Sequence, residues 1–337
     1  MAEKSRWETP LRDQPKAEEF SFDLDGALES VVALRAVIPP DAFTASILGV
    51  ERAGSGIVIR ESGLVLTIGY LITEAESVWL TGADGRVTQA HALAYDQETG
   101  FGLVQALGRL GLPALELGSA RAAKLDDPAI LAGGGRSQSV RARIAGKQEF
   151  TGYWEYLLDE ALFTAPAHPF WGGAGLIGQD GKLLGIGSLH VQQVSDHGQQ
   201  DVNMIVPIDL LPPILDDLLA YGQVNKPPRP WLGVYSAESG GRVVVADVAE
   251  HGPAAIAGLR EGDIISSVRD SSVEGLSDFY RKVWNCGPAG AEIPIEIVRE
   301  RRSVWRVLRK QTAEPDGRSL GAGGSALRRD PGKGCWP

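Results

Sequence analysis

Cysteine, basic charge and long apolar runs are all scarce in this sequence. Only 2 of the 337 residues are cysteine, Cys286 and Cys335, which excludes a disulfide framework and a cysteine-based zinc site. The 43 acidic residues outnumber the 33 Lys and Arg residues, and the net charge is −10. Such an acidic chain is a poor candidate for binding a phosphate backbone, so no nucleic-acid partner is expected.

No apolar stretch reaches the roughly 18 residues that a membrane-spanning helix needs. The N-terminal stretch up to Phe20 is charged and lacks the apolar run of a signal peptide. These absences predict no membrane span and a cytoplasmic location, which a misassigned start codon would change to the periplasm. No histidine or cysteine spacing matches a metal site, and no motif indicates a cofactor, so we expect neither.

Turn-forming residues are abundant instead, with 42 Gly and 20 Pro. Short β-branched runs such as 57–59 and 64–67 alternate with turn signals, which predicts an antiparallel barrel or sandwich. Apolar residues then recur at helical spacing over 208–221, and Gly222 marks the helix stop. The predicted segments are a polar N-terminal segment (1–29), a barrel domain (30–222), a Pro-rich linker (223–230), a second domain (231–311) and a disordered tail (312–337).

The second domain carries the most specific motif in the chain. Residues 252–268 read GPAAIAGLREGDIISSV and follow Trp-Leu-Gly-Val at 231–234. A helix is predicted over 276–284. This string resembles the signature of PDZ domains in bacterial proteases, and the resemblance covers the whole unit. It implies a groove that binds peptides or protein C-termini by adding them as a strand to a sheet edge.

The peptide-binding residues predicted for this groove come from one loop and one helix. Backbone N–H groups of the loop would hold a terminal carboxylate, and glycine permits the close approach. The loop residues are Trp231, Leu232, Gly233 and Val234. Apolar helix residues at i, i+3 and i+7 would line a pocket for the last side chain, although the same stripe equally fits a core-facing side of the helix. The helix residues are Leu276, Phe279 and Val283.

Residues 30–222 resemble the trypsin-like protease domain of the HtrA/Deg family. The resemblance rests on the order of short motifs, which are GSGIVI (54–59), LVLT (64–67), DQETGFGLV (96–104), LPALELG (112–118), GGAGL (172–176) and DGKLLGIG (180–187). It implies a mainly β chain, with a double β-barrel followed by a small α+β PDZ domain. Because relatives commonly form trimers, it also implies a homo-oligomer, with Trp7 and Phe20 the candidates for aromatic N-terminal contacts.

The triad positions that the resemblance implies all hold other residues. The histidine position holds Tyr70, and a phenol with an ordinary pKa of about 10 cannot act as a base at neutral pH. The aspartate position holds Gly100, which has no carboxylate. The serine position holds Gly172, or Trp171 if the match is shifted by one, and neither is a nucleophile. We therefore predict an inactive protease domain.

The favoured hypothesis is a catalytically silent HtrA/Deg-like pseudoprotease that binds peptides and acts as an adaptor, regulator or chaperone-like factor. The alternative is an active serine endopeptidase with a rewired site built from His168, Ser188 and His190. Two observations argue against an active peptidase. The sequence offers no carboxylate near these residues to orient an imidazole, and no histidine precedes His91 to fill the usual base position. A third hypothesis, a general peptide-holding chaperone, would require exposed apolar patches.

Overall fold

The computed structural model describes residues 8–195, 198–227, 229–300, 302–309 and 311–312. These residues group into two compact units. The first holds the chain up to Gln148 and Glu160–Asn225, and the second holds Glu149–Asp159 and the chain from Lys226 onward. Apart from Thr312, the predicted tail lies outside the described residues. Within the described part of the chain, no helix is both long and apolar enough to cross a bilayer.

The first unit contains two closed six-stranded barrels. The strands of the first barrel are Val31–Val37 (β1), Glu51–Arg60 (β2), Leu64–Ile68 (β3), Ser77–Thr81 (β4), Val87–Tyr95 (β5) and Phe101–Ala106 (β6). The strands of the second are Pro128–Ala132 (β7), Ser139–Gly152 (β8), Tyr156–Ala165 (β9), Gly175–Ile177 (β10), Leu183–Ser195 (β11) and Gly198–Pro207 (β12). Their neighbours run in the order β1-β2-β3-β6-β5-β4 and β10-β11-β12-β9-β8-β7.

The barrel strands form where β-branched and leucine residues cluster, because such side chains pack well on a pleated surface. The predicted runs at 57–59 and 64–67 lie inside β2 and β3. These strands pair antiparallel, with Ile57 opposite Leu66. Every residue of β3 is buried, and this strand ends directly before the position of Tyr70.

The helices of the first unit are Leu24–Glu29 (α1), Ala45–Leu48 (α2) and Pro212–Tyr221 (α3). Helix α3 begins with prolines and ends at Gly222, whose φ of 73° is the left-handed conformation of a glycine C-cap. The predicted helix and its stop are thus present. Helix α1 buries Leu24 and Leu28, so the segment 1–29 is less uniformly polar in its contacts than the sequence suggested.

The second unit is built on a sheet with the order β14-β15-β16-β18-β19 and has a small separate ladder. Its strands are Pro230–Trp231 (β13), Val234–Ser239 (β14), Arg242–Val248 (β15), Ile264–Val268 (β16), Ser271–Ser272 (β17), Glu292–Arg299 (β18), Arg302–Arg309 (β19) and Gln311–Thr312 (β20). Its helices are Pro253–Ile256 (α4) and Leu276–Asn285 (α5).

An ion pair between buried Asp263 and partly exposed Arg299 ties the signature motif of this unit to its sheet. The carboxylate of Asp263, which is 1% exposed, accepts hydrogen bonds from Arg299 Nε at 2.6 Å and Nη2 at 2.7 Å. It also accepts the backbone N–H of Arg260 at 2.9 Å. Burial acts to raise the pKa of Asp263, but these charge-assisted hydrogen bonds outweigh it and hold that pKa below its ordinary value.

Candidate functional site

Tyr70 and Gly172 are neighbours in space, although 102 positions separate them in the sequence. Tyr70 lies in the 3₁₀ turn Gly69–Leu71 that follows β3. Its hydroxyl donates a hydrogen bond to the carbonyl of Ser188 at 3.0 Å. A Cβ atom built on Gly172 would lie 2.7 Å from this hydroxyl oxygen, closer than real Cβ contacts. The phenol therefore fills the space into which a side chain at position 172 would project.

The surroundings of Tyr70 keep its phenol neutral. Burial raises the pKa of Tyr70 well above its ordinary value, so the phenolate does not form at neutral pH. The buried guanidinium of Arg52 donates to the carbonyls of Tyr70 at 2.6 Å and Thr73 at 3.0 Å, which fixes the turn. A neutral phenol that already donates to a carbonyl cannot take a proton from a hydroxyl nucleophile.

Gly100, at the aspartate position, lies next to the same turn. Its carbonyl accepts the N–H of Gly69 at 2.7 Å, and its φ of 83° is a left-handed conformation that favours glycine. The nearby Asp96 is buried and uses Oδ2 to accept the N–H and the hydroxyl of Thr99, at 2.9 and 2.7 Å. That carboxylate stabilises its own turn.

The loop around Gly172, the predicted nucleophile position, has a defined backbone. The carbonyl of Gly172 accepts the N–H of Ser55 at 2.8 Å, and the N–H of Gly173 donates to Gly187 at 2.9 Å. Trypsin-like enzymes bind the oxyanion with the amides of the nucleophile and of the residue two before it. The amide two before Gly172 belongs to Phe170, and it donates to Nδ1 of His168 at 2.9 Å. It is therefore engaged within the protein.

His168 is a buried structural histidine in this arrangement. Its Nδ1 accepts the Phe170 amide, which leaves Nε2 as the donor to the carbonyl of Gln138 at 2.7 Å. Burial lowers the pKa of His168, in keeping with a neutral ring. Both ring nitrogens are committed to the backbone, so His168 does not provide the base of a rewired site.

Ser188 and His190 lie on β11 with other partners. The carbonyl of Ser188 holds the hydroxyl of Tyr70, and its side chain is buried. The ring of His190 packs on Trp171 with centroids 5.3 Å apart. Over the described part of the chain, no cluster of three or more His, Cys, Asp or Glu side chains is arranged to hold a metal. Of the three residues of the predicted alternative site, His168 therefore bonds to the backbone and His190 packs on Trp171.

The loop predicted to hold a terminal carboxylate does hold a carboxylate, that of Glu155 in the same unit. Oε1 of Glu155 accepts the N–H groups of Leu232 at 3.1 Å, Gly233 at 2.8 Å and Val234 at 3.1 Å. Gly233 has a φ of 72°, which glycine adopts without strain. Trp231, the fourth predicted loop residue, is half-buried, and its ring approaches Gly233. The convergent amides show that the loop geometry suits a carboxylate.

The helix residues predicted to line the pocket are buried in the core of the second unit. These residues are Leu276, Phe279 and Val283, all in α5. Leu276 also lines a cavity of about 410 Å³ beside β14. Tyr280 of α5, which sequence reasoning missed, also makes polar contacts in the groove. Its hydroxyl accepts the N–H of Glu155 and donates to the carbonyl of Gly152, both at 3.1 Å.

Comparison with known proteins matches both units to described families. Residues 54–186 match the trypsin-like peptidase domain, and residues 230–304 match the PDZ domain. The class of protein is therefore a trypsin-like peptidase fold followed by a C-terminal PDZ domain. The predicted fold class, mainly β with these two domains in this order, is confirmed.

Curated relatives match most of this chain. The serine endoprotease DegS of Escherichia coli (strain K12) is 25% identical over 277 residues, 76% of each chain. A probable periplasmic serine endoprotease DegP-like of Pseudomonas putida (strain W619) is 28% identical over 296 residues, 82% of this chain and 60% of the relative. The solved structure "HtrA-type protease AlgW with decapeptide" shares the fold with a TM-score of 0.54 at 22% identity, covering 86% of this chain and 98% of that one. Together these similarities support an HtrA/Deg-family protein with a C-terminal PDZ domain.

Proposed function

We propose that this chain is a catalytically silent HtrA/Deg protein that binds peptides or protein C-termini through its PDZ domain. It would act as an adaptor, a regulator or a chaperone-like factor. The observation that carries the proposal is the neutral Tyr70 phenol packed against Gly172, where an active enzyme needs a base beside a nucleophile. Gly100 adds no carboxylate to this site.

The extent of the expected loss of activity follows from how the triad works. Removing the serine or the histidine of a triad costs about 10⁶-fold in turnover, and further losses do not add to it. What survives in such variants comes from binding and the oxyanion hole. In this chain the amide of Phe170 is already bonded to His168, which weakens that remaining contribution.

The binding half of the proposal rests on the loop at 231–234. Three backbone amides converge on one carboxylate there, and charge-assisted hydrogen bonds of this kind are among the stronger ones. The N–H of Ser236 on the neighbouring strand β14 donates to the carbonyl of Tyr153. Carboxylate capture and pairing with a strand edge are the two elements by which PDZ domains bind extended peptides.

Two assays on the full chain test the two halves of the proposal. The first treats the folded protein with a fluorophosphonate probe and with unfolded casein, with an active DegS protein as the positive control. We expect no labelling and no cleavage; labelling at a serine that disappears in the Ser188→Ala variant would refute inactivity and favour the rewired site. The second measures binding of fluorescent peptides with free and amidated C-termini, and we expect only the free form to bind.

Assembly and location are part of the same proposal. Family resemblance supports a homo-oligomer, which light scattering on the purified chain would measure. Of the two aromatic candidates for N-terminal contacts, Trp7 lies outside the described residues, and Phe20 packs against Phe22 with ring centroids 5.4 Å apart. The sequence analysis predicts a cytoplasmic location, whereas a relative is named as periplasmic, and cell fractionation would distinguish them.

A further inference from the structure

The hairpin loop between β8 and β9 lies in the PDZ groove like a bound ligand. This loop is Tyr153-Trp154-Glu155, and it belongs to the same compact unit as the groove. The Glu155 carboxylate is surrounded by amides of the carboxylate-binding loop, with both of its oxygens accepting from Leu232 at 3.0–3.1 Å. A side-chain carboxylate thus stands where the C-terminus of a peptide would bind.

Backbone contacts hold the loop on the other two walls of the groove. The N–H of Ser236, on strand β14, donates to the carbonyl of Tyr153 at 2.8 Å. The hydroxyl of Tyr280, on helix α5, accepts the N–H of Glu155 and donates to the carbonyl of Gly152. The loop therefore contacts the carboxylate loop, the edge strand and the helix, the three elements that receive a peptide in this mode of recognition.

The conformation of Glu155 is unusual for a residue with a side chain. It is the last residue of a three-residue hairpin loop and has a φ of 61°. This position commonly takes a left-handed conformation, for which glycine is the preferred residue. A glycine would relieve the backbone but would remove the carboxylate. A residue that departs from the local backbone preference is expected where its side chain serves a function. Here the function is the contact of the Glu155 carboxylate with the loop amides.

The hairpin does not fill the whole groove. A cavity of about 410 Å³ remains between residues 149–154 of the hairpin, residues 236–238 of β14, and Leu276 and Ser277 of helix α5. An incoming peptide can therefore contact the open part of the groove first, before its terminal carboxylate reaches the amides. The peptide's terminal carboxylate then replaces the Glu155 carboxylate at the amides of residues 232–234.

We propose that Glu155 is an internal ligand that closes the PDZ groove, so that a peptide carboxylate binds only by displacing it. This inference rests on the proposed peptide-binding function and adds its regulation. A tethered carboxylate competes at an effective concentration on the order of millimolar, so even a weak contact suppresses binding of dilute peptides. The apparent dissociation constant rises in inverse proportion to the fraction of open groove.

The test compares the full-length protein with Glu155→Gln and Glu155→Gly variants. Glu155→Gln keeps the size of the side chain and loses its charge. Glu155→Gly removes the side chain and also suits the left-handed backbone of position 155, so a folding defect is not expected. Glu160→Gln is the matched control, since Glu160 lies on β9, is half exposed and pairs with Lys147 outside the groove. Hydrogen exchange at 232–234 reports whether Glu155 holds the amides, and an array of decapeptides with free or amidated C-termini reports binding.

The expected result is faster exchange at 232–234 in both Glu155 variants and about tenfold tighter binding of free-carboxylate decapeptides, because charged hydrogen bonds are lost. The Glu160→Gln variant should match the wild type. Equal peptide affinity in the wild type and both Glu155 variants would overturn the inference while leaving the proposed function intact. Faster exchange without binding of any decapeptide would overturn the proposed function, and the inference with it.

Discussion

Adding a single methyl group at Gly172 tests whether the Tyr70 phenol occupies the nucleophile's space. In a Gly172→Ala variant the new Cβ would lie 2.7 Å from the Tyr70 hydroxyl oxygen, and its next neighbours are 3.6 Å or more away. Overpacking of this kind typically costs about 1–3 kcal/mol of unfolding free energy. Tyr70→Phe alone removes the hydrogen bond to Ser188 and should cost about 1 kcal/mol.

The double variant separates this clash from other effects. With the hydroxyl gone, the methyl group has room, so we expect Gly172→Ala to cost at least about 1 kcal/mol less in the Tyr70→Phe background. The measurement is denaturant unfolding, following the transition of the first unit. Gly108→Ala is the control, because its Cβ would meet only Thr88 Cγ2, at 3.4 Å, and its effect should add to that of Tyr70→Phe within about 0.5 kcal/mol. An equal cost of Gly172→Ala in both backgrounds would refute the assigned position of the phenol.

Two further predictions concern buried titratable groups. Asp263→Asn should destabilise the second unit by about 1–3 kcal/mol, since it removes the charge-assisted hydrogen bonds from Arg299, and urea unfolding would measure this. Because the pKa of Asp263 is lowered, its contribution is complete above the unfolded pKa of about 4 and is lost as pH falls, and the variant should lack this acid sensitivity. Burial lowers the pKa of His168, so its contribution to the first unit is complete above about pH 6.5 and is lost at lower pH. Thermal unfolding from pH 7.5 to 5 should show this loss in the wild type but not in His168→Gln.

The domain order could be predicted because it depends on local strings with a fixed order, whereas the altered triad stays a prediction. Each barrel strand has its own β-branched run, and the signature at 252–268 spans one continuous segment. The motif match also paired Tyr70 with Gly172, which the structure brings into contact. The hydrogen bond of Tyr70 to Ser188 depends on the closure of both barrels, and no local pattern encodes it.

The occupied groove could not be predicted for a related reason. Glu155 lies 77–79 positions before the amides that it binds, in a loop whose sequence has no turn motif. Helical spacing selected Leu276 and Val283 of α5 but not Tyr280, although all of these side chains are buried. Periodicity identifies the apolar side of a helix, and it does not separate residues that face the core from a residue at the edge of a groove.

The left-handed conformation of Glu155 has a consequence for comparing sequences within the family. At the end of a three-residue hairpin loop, glycine adopts the left-handed backbone without strain and an acidic residue does not. The residue type at this position therefore indicates whether the loop favours an unstrained backbone or a carboxylate in the groove. Family members with glycine there would have a groove open to ligands from the start. In members with glutamate or aspartate there, the loop carboxylate would compete with the peptide for the groove. The difference can be identified from the sequence without solving another structure.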